Sequence, residues 1–213
     1  MIRAVVFDVF GTLFEITDRR MPFRSLLHYL QQQGRAPRAD DAAKLMSSRL
    51  DLLGVAELFG MTITKDVLHL LDSDLQAELT SIRVFHDTVS TINQLKDAGY
   101  QIGVCSNLAL PYGESVLQLL PSPLDAYALS FAVGAVKPEP MIYQHVCRSL
   151  KCSADEVLFI GDSHTADFEG PRSMGMLARH LRRNQSLSSL DPNTEIESLH
   201  EIPYLLEYLK QLA

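Results

Sequence analysis

A chain of 213 residues, 46% hydrophobic and 21% charged, has room for one ordinary core and a small accessory domain, and its composition excludes the fibrous and disordered classes. A formal net charge of −7 argues against a nucleic-acid backbone as partner. No apolar run approaches the ~20 residues that a membrane span requires.

The first element is the apolar run Ile2 to Phe7, the pattern of a strand covered on both faces. It delivers Asp8 onto a Gly11-Thr12 turn. From residue 15 to residue 82 the pattern is helical. Phe23, Leu26, Leu27 and Leu30 keep helical spacing up to Gln33, and Gly34 suits the position just past the helix end. A second helix fits residues 40–53, closed by Gly54. Thr64 caps a third carrying Val67, Leu68 and Leu71, and residues 74–79 form a fourth. No strand is evident in this block, which is therefore expected to be a small helical domain inserted at 15–82.

From His86 onward helices and strands alternate. Val89, Ile92 and Leu95 mark a helix ending at Gly99; residues 100–105 form a strand with Ser106-Asn107 at its carboxyl end. Further elements are a short helix at 114–120, a strand at 127–133 and a helix at 139–150. A strand at 156–160 ends at Gly161-Asp162. A helix from Thr165 to Gly175 then meets Pro171, whose ring should kink or shorten it or mark its first turn. A strand at 176–181, a polar surface loop at 184–193 and a closing helix at 195–212, bent or split by Pro203, complete the chain. Strands separated by helices imply an α/β fold: a Rossmann-like parallel sheet covered on both faces, built from 1–14 and 83–213.

The chain begins in a core strand without the regions of a secretory leader. Cys105, Cys147 and Cys152 are odd in number and lack zinc-ligand spacing, which fits reduced thiols and a cytoplasmic location.

In an open α/β sheet, ligands bind beyond the carboxyl ends of the strands. Asp8, Ser106-Asn107 and Asp162 all fall at such ends, whereas any one of them alone would serve equally as a capping or turn residue. With Lys137, these residues resemble the four motifs of the haloacid dehalogenase superfamily. Asp8-Val9-Phe10-Gly11-Thr12 is similar to its DxDGT motif, Ser106-Asn107 to its second and Lys137-Pro138 to its third. Gly161-Asp162 through Asp167 is similar to its fourth, and the insert sits where the family places a type-1 helical cap. The resemblance implies Asp8 as nucleophile, with Ser106 and Lys137 holding the transferring group. It also implies Gly11, Thr12 and Asn107 as substrate contacts. Mg²⁺ would be held by Asp8, Asp162, Asp167 and the backbone carbonyl of Phe10. The expected partner is a small anionic substrate, for a monomer or homodimer without nucleic-acid or membrane partners.

The chemistry of each role is independent of the family. A carboxylate attacks an electrophilic centre only if competing negative charge is neutralised. Lys137 and a hard cation on oxygen ligands would do this. Gly11 permits close backbone approach to an anion, and Thr12 can hydrogen-bond the turn.

Phe10 is the departure: the family's phosphatases carry a second aspartate there as general acid and base. A positioned acid is worth roughly 10² to 10⁴ in rate, or about 3–5 kcal/mol. Three readings compete. A 2-haloacid dehalogenase also has an aromatic residue here and needs no acid for halide departure, but its relatives lack the acidic fourth motif that this chain keeps. A Mg²⁺-dependent phosphohydrolase would use a good leaving group or another proton donor. His164 is the nearest by sequence; Lys44 and Lys65 of the insert are candidates for a Schiff base, as the cap lysine is in a relative that also lacks the second aspartate, but all three read more easily as surface residues. A non-catalytic phosphate- or protein-binding protein is the third. Arg19, Arg20 and Arg24 could meet an anionic substrate or form a solvated helix face. Glu15 and His86 flank the hinges.

Overall fold

The computed structural model describes residues 1–120, 123–183, 191 and 193–211. Its centre is a six-stranded parallel sheet of β1 (Ala4–Phe7), β4 (Gln101–Ser106), β5 (Ala126–Leu129), β6 (Val157–Gly161), β7 (Leu177–Leu181) and β8 (Glu195–Ile196). The order across the sheet is β5-β4-β1-β6-β7-β8. The chain thus builds outward from β1 on one side, then returns to the other side with β6.

The continuous apolar character of β1 has a direct cause. Val5 and Phe7 pack into the core on one face, Ala4 and Val6 into the core on the other. Strand β6 repeats this, with Leu158 and Ile160 opposed to Val157 and Phe159. Period-two alternation places successive side chains on opposite faces, so strands covered on both sides need apolar residues throughout. Helices α5 (Thr88–Asp97) and α10 (Ile202–Gln211) cover the first face, contributing Ile92, Leu95, Ile202 and Leu206. Helix α8 (Pro140–Leu150) covers the second through Ile142, Val146 and Leu150.

Four helices make up the insert: α1 (Pro22–Gln32), α2 (Asp41–Met46), α3 (Leu52–Leu58) and α4 (Lys65–Ser81). They gather a separate core around Leu26, Leu30, Val55 and Leu75. Gly34 takes φ +96° just past α1, as expected of a helix terminator. Thr64 caps α4 by accepting from Val67 N at 3.4 Å.

Several expected elements differ. The helix expected at 40–53 is two helices: α2 ends at Met46, and Asp51 caps α3 by accepting from Gly54 N at 2.8 Å; Gly54 lies inside α3 and does not terminate it. The third and fourth helices are one, α4. The block expected to lack strands is entered and left through a two-stranded antiparallel ribbon, β2 (Phe14–Ile16) against β3 (Ile82–Val84). The short helix expected at 114–120 is α6 (Gly113–Leu119).

The strand expected at 127–133 stops at Leu129 and turns into α7 (Ser130–Val133), because Ser130 Oγ takes over from the ladder, accepting from Leu108 N at 2.9 Å. After β6 the chain forms a π-helical turn, His164–Glu169, and then α9 (Gly170–Ser173). Pro171 sits in the first turn of α9, where its missing N–H costs nothing. Residues 195–196 pair with β7 as β8, and Pro203 lies in the first turn of α10, so the closing helix starts later than expected. The surface loop expected at 184–193 lies, apart from Asp191 and Asn193, outside the described residues. Cys105, Cys147 and Cys152 are unpaired thiols. Among the described residues no helix is long and apolar enough to cross a membrane.

Candidate active site

Strands β1 and β6 are neighbours at the point where strand order reverses, and the crevice beyond their carboxyl ends is where such a sheet opens. Asp8 follows β1 there, its N–H still bonded to Ile160 O of β6 at 2.9 Å. Asp162 follows β6, and Ser106 is the last residue of β4. The π-helical turn swings Asp167 back beneath them. Its Oδ2 accepts from Ser163 N at 2.9 Å, and Asp167 N donates to Ser163 O at 2.8 Å.

Lys137 enters from the segment between α7 and α8. Its Nζ donates to Asp8 Oδ1 at 2.7 Å and to Asp167 Oδ1 at 2.5 Å. The lysine side chain is 2% exposed and that of Asp167 1%, so the pairs are screened from water. Carboxylate oxygens of Asp8, Asp162 and Asp167 all lie within 4.8 Å of one another. At that spacing each pair of charges repels by about 3 kcal/mol or more at an effective dielectric near 20. One lysine faces three acids.

Ionisation follows this imbalance. Burial pushes the Asp167 carboxyl up, to about 7, against the opposing pull of Lys137. Asp162 is also raised, by burial and by the neighbouring Asp8 charge. Burial works against the Lys137 ammonium, but Asp8 and Asp167 outweigh it and raise its pKa. The lysine is therefore a fixed positive charge, and the acids hold more negative charge than it can balance.

The remaining expected residues fall as follows. Gly11 has φ +93°, and a Cβ there would stand 2.2 Å from Asp162 Oδ2; the turn admits the Asp162 carboxylate only because the side chain is absent. Asn107 holds the Lys137 peptide from both sides, its Nδ2 donating to Lys137 O at 2.9 Å and its Oδ1 accepting from Lys137 N at 2.7 Å. Its amide orients the lysine. The Thr12 hydroxyl is buried and finds no partner among the described residues; the Thr12 carbonyl makes the contact, accepting from Arg183 Nη2 at 2.7 Å. Ser106 is 1% exposed at the end of β4.

His164, Lys44, Lys65, Glu15 and His86 are all exposed. His164 Nδ1 approaches Glu169 at 3.7 Å, and Glu15 pairs across the ribbon with Arg83. Arg20 is tied to Asp18 and Asp74 at 2.9 and 3.2 Å.

Phe10 points toward the helical insert. Its ring packs edge-on against Phe14 and Tyr112, with centroids 6.2 and 5.7 Å apart. It forms one wall of a cavity of about 290 Å³ between core and insert, shared with Phe23, Leu45, Asn107, Leu108 and Tyr112. Arg19 and Arg24 also line it.

The sequence reading missed two groups. Glu78 of α4 is 3% exposed and lines the same cavity. Its carboxylate accepts from the Arg20 and Met21 backbone N–H groups at 2.7 Å each, and from the Tyr112 hydroxyl. A lone acid on the inner face of an otherwise apolar helical stripe was the only signal available. Asp87, fully buried, accepts two hydrogen bonds of 2.9 Å from Arg183, plus one each from Ser198 Oγ and Leu199 N. These pairings join residues far apart in the chain and leave no local pattern.

A family model described as haloacid dehalogenase-like hydrolase matches residues 2–175. A glyceraldehyde 3-phosphate phosphatase of Methanopyrus kandleri is 26% identical, over 100% of this chain and 99% of its own. An (S)-2-haloacid dehalogenase of Pseudomonas is 27% identical, over 99% of each. Among solved structures, a HAD phosphatase from Thermococcus onnurineus superimposes with a TM-score of 0.65 at 24% identity, over 96% of this chain and 98% of that one.

Proposed function

The chain belongs to the haloacid dehalogenase-like hydrolases, and from that membership we propose that it is a Mg²⁺-dependent hydrolase of a small phosphorylated metabolite, with Asp8 as nucleophile. The observation that carries this reading is the convergence of Asp8, Asp162 and Asp167 around a single lysine. Repulsion of that size is relieved by a divalent cation, and a set of hard carboxylate oxygens fits Mg²⁺. Asp8, Asp162 and Asp167 would hold it, with the Phe10 carbonyl. When bound, it would polarise the phosphoryl group and neutralise its charge.

The residues of the chain then divide the work. Lys137 holds Asp8 Oδ1, leaving Oδ2 to attack phosphorus. The phosphorus–oxygen bond to the leaving group breaks as the aspartyl phosphate forms, and because Phe10 has no proton to give, the leaving group departs as an anion that takes its proton from solvent. Water then attacks that phosphorus and gives up a proton to solvent, releasing inorganic phosphate and restoring the Asp8 carboxylate. Ser106 and Lys137 hold the phosphoryl oxygens, Gly11 and Thr12 present the turn, and Asn107 fixes Lys137. The helical insert at 15–82 acts as a cap that closes over this site and shields it from bulk water.

Phe10 supports a second reading, hydrolysis of a carbon–halogen bond in a 2-haloacid. Its ring gives no proton to a leaving group, and halide needs none. The similarity to haloacid dehalogenases is compatible with this, while the surplus of carboxylates is not, because that chemistry in relatives proceeds without a cation to balance it.

The test is a panel of phosphate esters, acyl phosphates and 2-haloacids, each assayed with Mg²⁺ and with EDTA. Phosphate release that EDTA and Asp8→Asn both abolish is the expected result. Halide release indifferent to EDTA would replace the phosphohydrolase with the dehalogenase.

A further inference from the structure

Resting on the reading of this site as a phosphohydrolase, we infer that its substrate carries a second anionic group, separated from the phosphoryl group by a short apolar body, and that Arg19 and Arg24 receive it. The cavity beyond Phe10 is walled mainly by Phe10, Phe23, Leu45, Leu108 and Tyr112. A strongly polar leaving group such as a sugar would leave its hydroxyls unpaired against these walls. An apolar spacer would not.

Two cations stand at the edge of this apolar space. The three neighbouring arginines differ in a telling way. Arg20 is neutralised by Asp18 and Asp74 and does not line the cavity. Arg19 and Arg24 do line it, and among the described residues neither has a carboxylate partner. Arg24 makes only a 3.7 Å contact to Met21 Sδ. Glu78 is the one acid in the lining, and its oxygens are engaged by two backbone N–H groups and the Tyr112 hydroxyl. It therefore offers the arginines no ion pair and the ligand no open acceptor.

The arrangement is complementary to a molecule with an anion at each end. One end is placed at Lys137 and Asp8, which the cavity approaches through Phe10 and through Asn107, the residue bonded to the Lys137 peptide. The body crosses the aromatic walls, and the far end meets two guanidinium groups suited to planar, bidentate recognition of carboxylate or phosphate. A volume of about 290 Å³ has room for a spacer of a few carbon atoms.

Binding is tested separately from catalysis with phosphonates, which cannot be hydrolysed, measured by calorimetry in the presence of Mg²⁺. The probes are propylphosphonate, 4-phosphonobutyrate and propane-1,3-diphosphonate. At least one bis-anion is expected to bind the wild-type protein about tenfold or more tighter than propylphosphonate. Which one does so tells carboxylate from phosphate. Arg19→Met/Arg24→Met should shrink that advantage to within about twofold, while Arg20→Met should keep it. Both variants alter exposed side chains, and unchanged melting temperatures will show that the fold is intact. Equal affinity for all three probes, or an advantage that survives loss of both arginines, overturns the inference. Retained discrimination without phosphate release from 4-phosphooxybutyrate overturns the phosphohydrolase reading and leaves this subsite standing.

Discussion

The Asp162 carboxylate occupies the space where Gly11 would carry a side chain, with Oδ2 only 2.2 Å from an ideal Cβ position. The turn that presents Asp8 and the carboxylate at the end of β6 are therefore fitted to each other through a missing atom. Gly11→Ala would force Asp162 away from Asp8 and oblige alanine to adopt φ +93°. Hydrolase activity should fall more than tenfold, and stability by about 1–3 kcal/mol. Steady-state rates on the substrate panel, together with urea unfolding, check both parts.

Lys137 stands between Asp8 and Asp167, and its removal leaves two buried acids facing each other. Lys137→Met should lower stability by about 3–5 kcal/mol. Adding Asp167→Asn to that variant removes one of the stranded charges and should recover part of the loss. Denaturant unfolding of both single variants and the double measures the coupling. Simple additivity would mean that the lysine does not hold the acids together.

Phe10→Asp places a carboxyl where the aromatic ring now stands. If the missing proton donor limits turnover of ordinary phosphate esters, their kcat should rise by a factor of ten or more. The ring contacts with Phe14 and Tyr112 are lost at the same time, so stability should drop by about 2–4 kcal/mol. Unchanged kcat in a folded variant would show that another step limits the rate.

Within the helical insert, the Arg35 guanidinium grips the Asp41 carboxyl at 2.5 and 2.7 Å and holds its pKa at about 2. A carboxylate depressed in the folded state stabilises above its unfolded pKa, near 3.9, and loses that stabilisation as pH falls toward 2. Asp41→Asn should therefore weaken the protein at neutral pH by about 1–2 kcal/mol, the cost of desolvating the pair offsetting part of its gain. The gap from wild type should close between pH 4 and pH 2. Thermal melts across that range provide the measurement.

The sheet and the placing of Asp8, Ser106 and Asp162 at strand ends were legible because their signals are local, whereas Lys137 stood out only through the resemblance of its motif. Apolar runs mark buried strands, and polar residues directly after them mark strand ends. The two-stranded ribbon was not legible, because three-residue strands such as Phe14–Ile16 are too short to show a period. The turn at Ser130 escaped because its cause is a hydroxyl that bonds Leu108 N from another segment. The π-helical turn escaped because Ala166 and Asp167 carry no signature for the wider turn, although Pro171 warned that an ordinary helix would fail. The pairing of Glu78 with Tyr112, and of Asp87 with Arg183, needs the folded chain.

The grip of Arg183 on the Thr12 carbonyl bears on the order in which this protein comes into being. Synthesis runs from the N-terminus, so the Asp8 turn leaves the ribosome early, while the residue that clasps it follows 171 positions later. Asp87, which orients that clasp, waits 96 positions for the same arginine. Until then the turn has its sequence but not its anchorage. The clasp on the Asp8 turn is therefore among the last contacts the growing chain can make, since Arg183 follows β7.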